Sequence, residues 1–165
     1  QRQYMLAYLR WKSPVSCYPD ANSTLRLSYG KVQGISPKDG ISYQYYTTSN
    51  GILEKYQTGE TDYKTDQQLI ELLKQKDFNR YGENQELHTA FLASNHTTGG
   101  NSGSPVVNAK GEMVGLNFDR VWENVANDFG YNPEVARNIS VDLRFLIWLL
   151  REQHGEALLA EMGVH

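Results

Sequence analysis

Apolar positions recur with two different periods along this chain, and the periods mark its elements. Tyr4, Tyr8 and Trp11 fall at i, i+4 and i+7, with Met5 and Leu9 widening the stripe. That spacing predicts a helix over 3–12, ended by Ser13-Pro14, with the aromatic stripe facing a core. Tyr18-Pro19-Asp20-Ala21-Asn22 reads as a turn. From Ser23 to Val32 the period changes to two: Leu25, Leu27 and Tyr29 alternate with Thr24, Arg26 and Ser28, the pattern of a half-buried strand. Pro37-Lys38-Asp39-Gly40 is a turn, and Ile41 to Thr48, rich in Tyr and Thr, is a second strand, expected to pair with the first as an antiparallel hairpin.

The middle of the chain is helical. Residues 51–57 begin a short helix after Asn50-Gly51. Thr65 to Lys76 carries Leu69, Leu72 and Leu73 at helical spacing, with Asp66 placed to cap it. Residues 77–86 are polar and loop-like. Leu87 to Ala93 then reads as a strand, and Ser104–Asn108 with Glu112–Phe118 as a hairpin across Ala109-Lys110-Gly111. Trp122 to Phe129 is a short helix or irregular segment, and Asn132-Pro133 a turn. Ser140 to Gln153, apolar nearly all round, predicts a largely buried helix. Gly155 interrupts it before a short amphipathic helix over Glu156–Met162.

Composition narrows the class. With 165 residues, 39% of them hydrophobic, the chain is long enough for one domain with a core. A net charge of −3 gives no electrostatic argument for nucleic acid as a partner. The single cysteine, Cys17, excludes an internal disulfide and is expected to be a small buried apolar residue. No apolar run is long enough to span a bilayer. The chain starts at Gln1 with neither Met nor signal peptide, as expected of a processed or excised piece. Neither metal-ligand spacing nor a phosphate-binding Gly loop is present, so no metal and no cofactor is expected.

The chemistry concentrates in Thr98-Gly99-Gly100-Asn101-Ser102-Gly103-Ser104-Pro105. Glycines let the backbone turn tightly around Ser102 and approach a substrate. This stretch resembles the serine loop of chymotrypsin-like peptidases, which implies Ser102 as nucleophile and the N–H groups of Gly100 and Ser102 as the oxyanion hole. It does not fit the α/β-hydrolase elbow, because Pro105 and a β-rich run follow where that elbow needs a helix.

A wider set of motifs, Tyr18-Pro19-Asp20-Ala21-Asn22-Ser23-Thr24-Leu25-Arg26, the serine loop through Val106, and Gly115-Leu116-Asn117-Phe118-Asp119-Arg120-Val121-Trp122-Glu123, resembles the bacterial dipeptidyl-peptidase family S46. The likeness runs over nearly the whole chain but covers only the C-terminal part of the family's polypeptide. It implies a mainly β fold with helices: the C-terminal half of a chymotrypsin-like double β-barrel with a closing C-terminal helix. Residues 1–16 would then be a helix from the adjoining helical region, 17–139 the barrel portion and 140–163 the C-terminal helices. It also implies release of dipeptides from peptide N-termini, in the periplasm or at the cell surface of a Gram-negative bacterium, by a parent enzyme that forms a homodimer.

The resemblance assigns two further roles. Asp119, of Asn117-Phe118-Asp119, would bind the substrate's α-ammonium, a charge-assisted bond. The next residue sorts the family: Gly accompanies apolar residues before the cut, Arg accompanies Asp or Glu. Arg120 therefore implies the acid-specific branch, and a guanidinium suits a carboxylate because it offers parallel donors and stays charged. His96, on the segment that floors the specificity pocket in trypsin-like folds, is a further candidate for binding the acidic side chain, with a structural role as the alternative. Asn101 reads as loop-shaping, and Asn-x-Ser/Thr triplets at Asn22, Asn95 and Asn138 read as chance.

A serine nucleophile needs a base. No histidine precedes His88, and His88, His96, His154 and His165 all fit poorly by order or proximity. The chain is thus expected to lack the triad's His and Asp, to need the rest of its parent polypeptide, and to be inactive alone. Two other readings compete: a glutamyl-type serine endopeptidase, which needs no ammonium site, and a peptide-binding barrel that has lost its base.

Overall fold

The computed structural model describes residues 1–11, 23–126 and 130–164. Cys17, the turn at Tyr18–Asn22, the end of the first helix at Ser13-Pro14 and the stretch up to Phe129 that follows Ala126 lie outside the described residues.

The organising element is a five-stranded antiparallel sheet built from strands far apart in sequence. Its strands are β3 (Tyr46–Thr48), β4 (His88–Ala93), β5 (Pro105–Val107), β6 (Met113–Arg120) and β7 (Asn138–Asp142), in the spatial order β3-β4-β7-β6-β5. The hairpin β5–β6 is the predicted one. A separate two-stranded hairpin, β1 (Ile35–Lys38) with β2 (Ile41–Tyr43), turns at Asp39-Gly40. The helices are α1 (Arg2–Trp11), α2 (Ser49–Gln57), α3 (Gln67–Gln75), α4 (Leu143–Glu152) and α5 (Glu156–Glu161). None is long and apolar enough to cross a membrane.

The main apolar cluster sits where α2, α3 and α4 meet the segment before β4. Leu73, Phe78, Tyr81, Leu87 and Trp148 are buried there, with Leu69, Leu72, Phe145, Ile147 and Leu149 packed around them. The polar stretch 77–86 thus hides two core residues: Phe78 meets Trp148 edge-on at 5.5 Å, and the Tyr81 hydroxyl accepts a hydrogen bond from Arg151 Nε at 2.8 Å. Asp66 caps α3 as expected, accepting from the Gln68 N–H at 3.1 Å.

Four expectations are corrected. Residues 23–31 form no strand; Leu25, Leu27 and Tyr29 are 91%, 82% and 93% exposed, and only Val32 bridges to Ala93. The period-two pattern marks an apolar face, but no second layer within the described residues covers it. Ile41–Thr48 splits at Gln44-Tyr45 into β2 and β3, so the hairpin partner of Ile41 is Lys38 and not the earlier segment. The aromatic residues of α1 stack on one another, Tyr4 on Tyr8 at 6.4 Å, but no residue of that helix is buried. Finally, the predicted helix at Ser140–Gln153 begins only at Leu143: Ser140 and Val141 belong to β7, paired on both sides, and of the helix only Trp148 is buried.

Asp142 makes that strand-to-helix switch. Its carboxylate accepts from the Arg144 N–H at 2.8 Å, capping α4, and grips the Arg144 guanidinium at 3.0 and 2.8 Å. The hydrogen-bonded carboxylate of Asp142 raises the Arg144 guanidinium above its ordinary value, against a smaller opposing effect of burial. Arg144 Nη2 also lies 3.1 Å from His88 Nδ1, and the His88 ring stacks on Tyr46, which gives that histidine a structural place. Asp142→Ala should cost about 2–3 kcal/mol, from a lost cap and a charge-assisted bond. Thermal unfolding of the full-length protein checks this; an unchanged melting temperature would refute it.

Candidate active site

The serine loop links β4 to β5 and is held by hydrogen bonds to itself and to β6. Within it, the Asn101 N–H donates to Thr98 O at 3.3 Å, the Asn101 Oδ1 accepts from the Thr98 N–H at 2.8 Å, and the Ser104 N–H reaches Asn101 O at 3.1 Å. Asn101 is therefore the loop-shaping residue expected. To β6, the Gly103 N–H donates to Asn117 O at 2.7 Å and the Asn117 N–H to Ser104 O at 2.9 Å. Gly100 (φ +95°) and Gly103 (φ +83°) flank the serine in a backbone conformation that side chains disfavour, which is why glycine stands on either side of Asn101-Ser102.

Ser102 is exposed, and its hydroxyl donates to Phe118 O at 3.3 Å. Among the described residues this is its only hydrogen bond, so no described histidine bonds the Ser102 hydroxyl. The neighbouring N–H groups of Asn101, Gly103 and Ser104 are each committed to a carbonyl, whereas among the described residues those of Gly99, Gly100 and Ser102 have no acceptor.

β6 presents the other half of the site through a bulge. Asn117 pairs with Ser140 and Asp119 with Ile139, so Phe118 is an extra residue in the ladder. The alternation breaks there: Asn117 is buried, while Phe118 and Asp119 are both exposed in succession. The bulge therefore turns Phe118 O toward Ser102 and sends Asp119 out at the strand's end. The Asp119 Oδ1 accepts from the Arg120 N–H at 2.8 Å. The Arg120 guanidinium reaches back to Thr97 O at 3.5 Å, five residues before Ser102. Ser102, Asp119 and Arg120 are thus brought to one seam, where the serine loop crosses the end of β6.

His96 directly precedes Thr97, whose carbonyl the Arg120 guanidinium reaches. The His96 ring lies against Tyr131 at 4.6 Å, its carbonyl accepts from Ser28 Oγ at 2.7 Å, and it lines a groove of about 440 Å³ with Arg26, Thr98, Asn101 and Tyr131. Tyr131 is held by its hydroxyl, which donates to Ser94 O at 2.7 Å. Arg120 does not line that groove. Beyond it, Arg137 is buried in a cage of carbonyls from Gly34, Pro133, Glu134 and Ala136, and burial pushes its guanidinium below the ordinary value.

Sequence reasoning missed two site residues. Asn117 was read only as part of a motif, and Asn138 only as a chance triplet, yet both are buried and joined. For Asn117, a polar amide in the inward phase of the predicted strand was the available signal; for Asn138, outside every predicted strand, there was none.

The peptidase S46 family model matches residues 1–164. The chain is 48% identical over 155 residues to an Asp/Glu-specific dipeptidyl-peptidase of Flavobacterium psychrophilum, covering 94% of this chain and 22% of that protein. To dipeptidyl-peptidase 7 of Porphyromonas endodontalis it is 44% identical over 131 residues, 79% of this chain and 16% of that protein. Among solved structures it is similar to Porphyromonas endodontalis DPP11 in complex with the dipeptide Arg-Asp: TM-score 0.88, 38% identity, 99% of this chain and 24% of that one. The chain spans about a quarter or less of the length of the relatives it matches. By this family match over nearly its whole length, the chain belongs to the peptidase S46 family.

Proposed function

We propose that this chain is the nucleophile-bearing part of a serine dipeptidyl-peptidase that releases dipeptides with Asp or Glu in second position. Ser102 attacks the carbonyl after that residue, the open N–H groups of Gly100 and Ser102 take the developing oxyanion, and Arg120 holds the acidic side chain. Asp119 holds the substrate's α-ammonium, so that only the second peptide bond reaches Ser102. His96 is a weaker candidate for the acid-binding wall, since its ring lies against Tyr131.

The observation that carries this reading is the seam itself: an exposed serine between open N–H donors, with a carboxylate and a guanidinium presented together by one bulge. Overall likeness does not decide specificity, because relatives named as Asp/Glu-specific and relatives named dipeptidyl-peptidase 7 lie within a few per cent of one another in identity. Arg120 does. The base and its orienting acid come from the rest of the polypeptide, which also covers the exposed apolar side of Leu25, Leu27 and Tyr29. The five-stranded sheet with the 23–32 segment along its edge forms the C-terminal barrel of a chymotrypsin-like pair. A homodimeric parent at the periplasm or cell surface belongs to the same reading, by family resemblance.

Two measurements test it. Acetylating the substrate's N-terminus should reduce kcat/KM by about 30-fold or more, as expected when a charge-assisted contact worth roughly 2 kcal/mol or more is lost. Undiminished cleavage of blocked peptides would favour the glutamyl-type endopeptidase. The 165-residue chain alone should show no turnover of a Leu-Asp or Leu-Glu chromogenic amide; turnover abolished by Ser102→Ala would show that the base lies within it.

A further inference from the structure

Behind Ser102 runs a chain of buried amides that the proposed chemistry does not use. Asn138, on β7, is 2% exposed, and its Nδ2 donates to Asn117 Oδ1 at 2.9 Å and to Ser140 Oγ at 3.2 Å. Asn117, on β6, is 5% exposed, and its Nδ2 donates in turn to Asn101 O at 3.0 Å. That carbonyl belongs to the same peptide unit as the Ser102 N–H. An amide side chain has one donor end and one acceptor end, so the bond received from Asn138 fixes which end of Asn117 faces the serine loop.

We propose that Asn138 and Asn117 are positioning residues for the oxyanion hole. Donation to Asn101 O, shared with the Ser104 N–H at 3.1 Å, holds the Asn101–Ser102 peptide plane with its N–H turned toward the substrate side. It also polarises that peptide, since successive hydrogen bonds strengthen one another, and makes the Ser102 N–H a better donor. The relay crosses β7, β6 and the loop, so the geometry of the hole is set by the sheet and not by the glycines alone. Asn138 touches no reacting atom; it acts through Asn117.

This inference rests on the serine-peptidase reading, and the test separates the two. In the full-length enzyme, Asn138→Asp leaves side-chain size nearly unchanged but faces Asn117 with acceptors only. The Asn117 amide then turns over to donate to the new carboxylate, and its oxygen faces Asn101 O. We expect kcat on a Leu-Asp amide to fall about 10- to 100-fold, part of what removing an oxyanion donor costs, with KM changed less than about twofold. Affinity for a peptidyl boronate, which forms a tetrahedral adduct, should fall in parallel with kcat, while affinity for the product dipeptide stays. Lowering the pH until the introduced carboxyl is protonated restores a donor and should recover activity relative to the parent enzyme.

Asn138→Thr, which keeps a donor in a similar volume, covers the case in which the Asp variant does not fold. It should retain most of kcat, and Asn117→Asp should reproduce the loss. Unchanged kcat in folded Asn138→Asp or Asn117→Asp, or parallel loss of boronate and product affinity, would overturn the relay. An unsubstituted enzyme that neither cleaves the amide nor binds the boronate would instead overturn the peptidase reading.

Discussion

Ser102→Ala in the full-length enzyme should abolish hydrolysis of Leu-Asp and Leu-Glu amides, with kcat falling by on the order of 10⁶-fold where a serine nucleophile is removed. The hydroxyl is exposed, and its hydrogen bond to Phe118 O leaves it open to attack a carbonyl placed from the solvent side. The loop around it does not depend on that hydroxyl. Asn101, Gly103 and Ser104 carry its hydrogen bonds through backbone atoms and the Asn101 side chain. The variant should therefore fold, bind dipeptides with little change and keep only the small acceleration that an oxyanion hole gives alone. Steady-state kinetics with product-dipeptide affinity as a control makes the measurement. Turnover that persists within tenfold of the parent enzyme would place the nucleophile elsewhere.

Arg120→Gly is the second large effect. It should lower kcat/KM for substrates with Asp or Glu in second position by about 2–5 kcal/mol, roughly 30-fold to several thousandfold, because the substrate carboxylate would be desolvated with its partner gone. Substrates with an apolar residue there should be affected far less, so the preference inverts. Arg120→Lys should fall between, since an ammonium offers a point charge and not a fork. Arg120 stands at the end of β6, beyond the bulge, where its guanidinium reaches Thr97 O at 3.5 Å. An unchanged ratio of acidic to apolar substrates would remove Arg120 from the pocket.

The parts of this molecule that were legible in advance are those whose signal is local. Gly111 at a hairpin, Asp66 before a helix and glycines around Ser102 each act through their own backbone, and the corresponding turn, cap and loop are present. Elements whose character depends on a distant partner were misread. Ser140 and Val141 look like the start of the apolar run that follows, yet β4 and β6 claim them from both sides. Leu25, Leu27 and Tyr29 alternate as a buried strand would, but they are exposed among the described residues. The site divides in the same way. Ser102, Asp119 and Arg120 were visible as motif residues; the bulge at Phe118 that presents them was not, because a ladder irregularity is set by two strands together. Asn138 was invisible for the same reason, since its partner Asn117 lies 21 positions away in the chain.

The most direct test of the central claim is to treat the native full-length enzyme with a serine-directed fluorophosphonate and map the adduct by peptide mass spectrometry. A single adduct on Ser102, blocked by prior binding of an Asp- or Glu-containing dipeptide, is the predicted result. An active enzyme that is labelled at another serine, or not labelled at all, would contradict it.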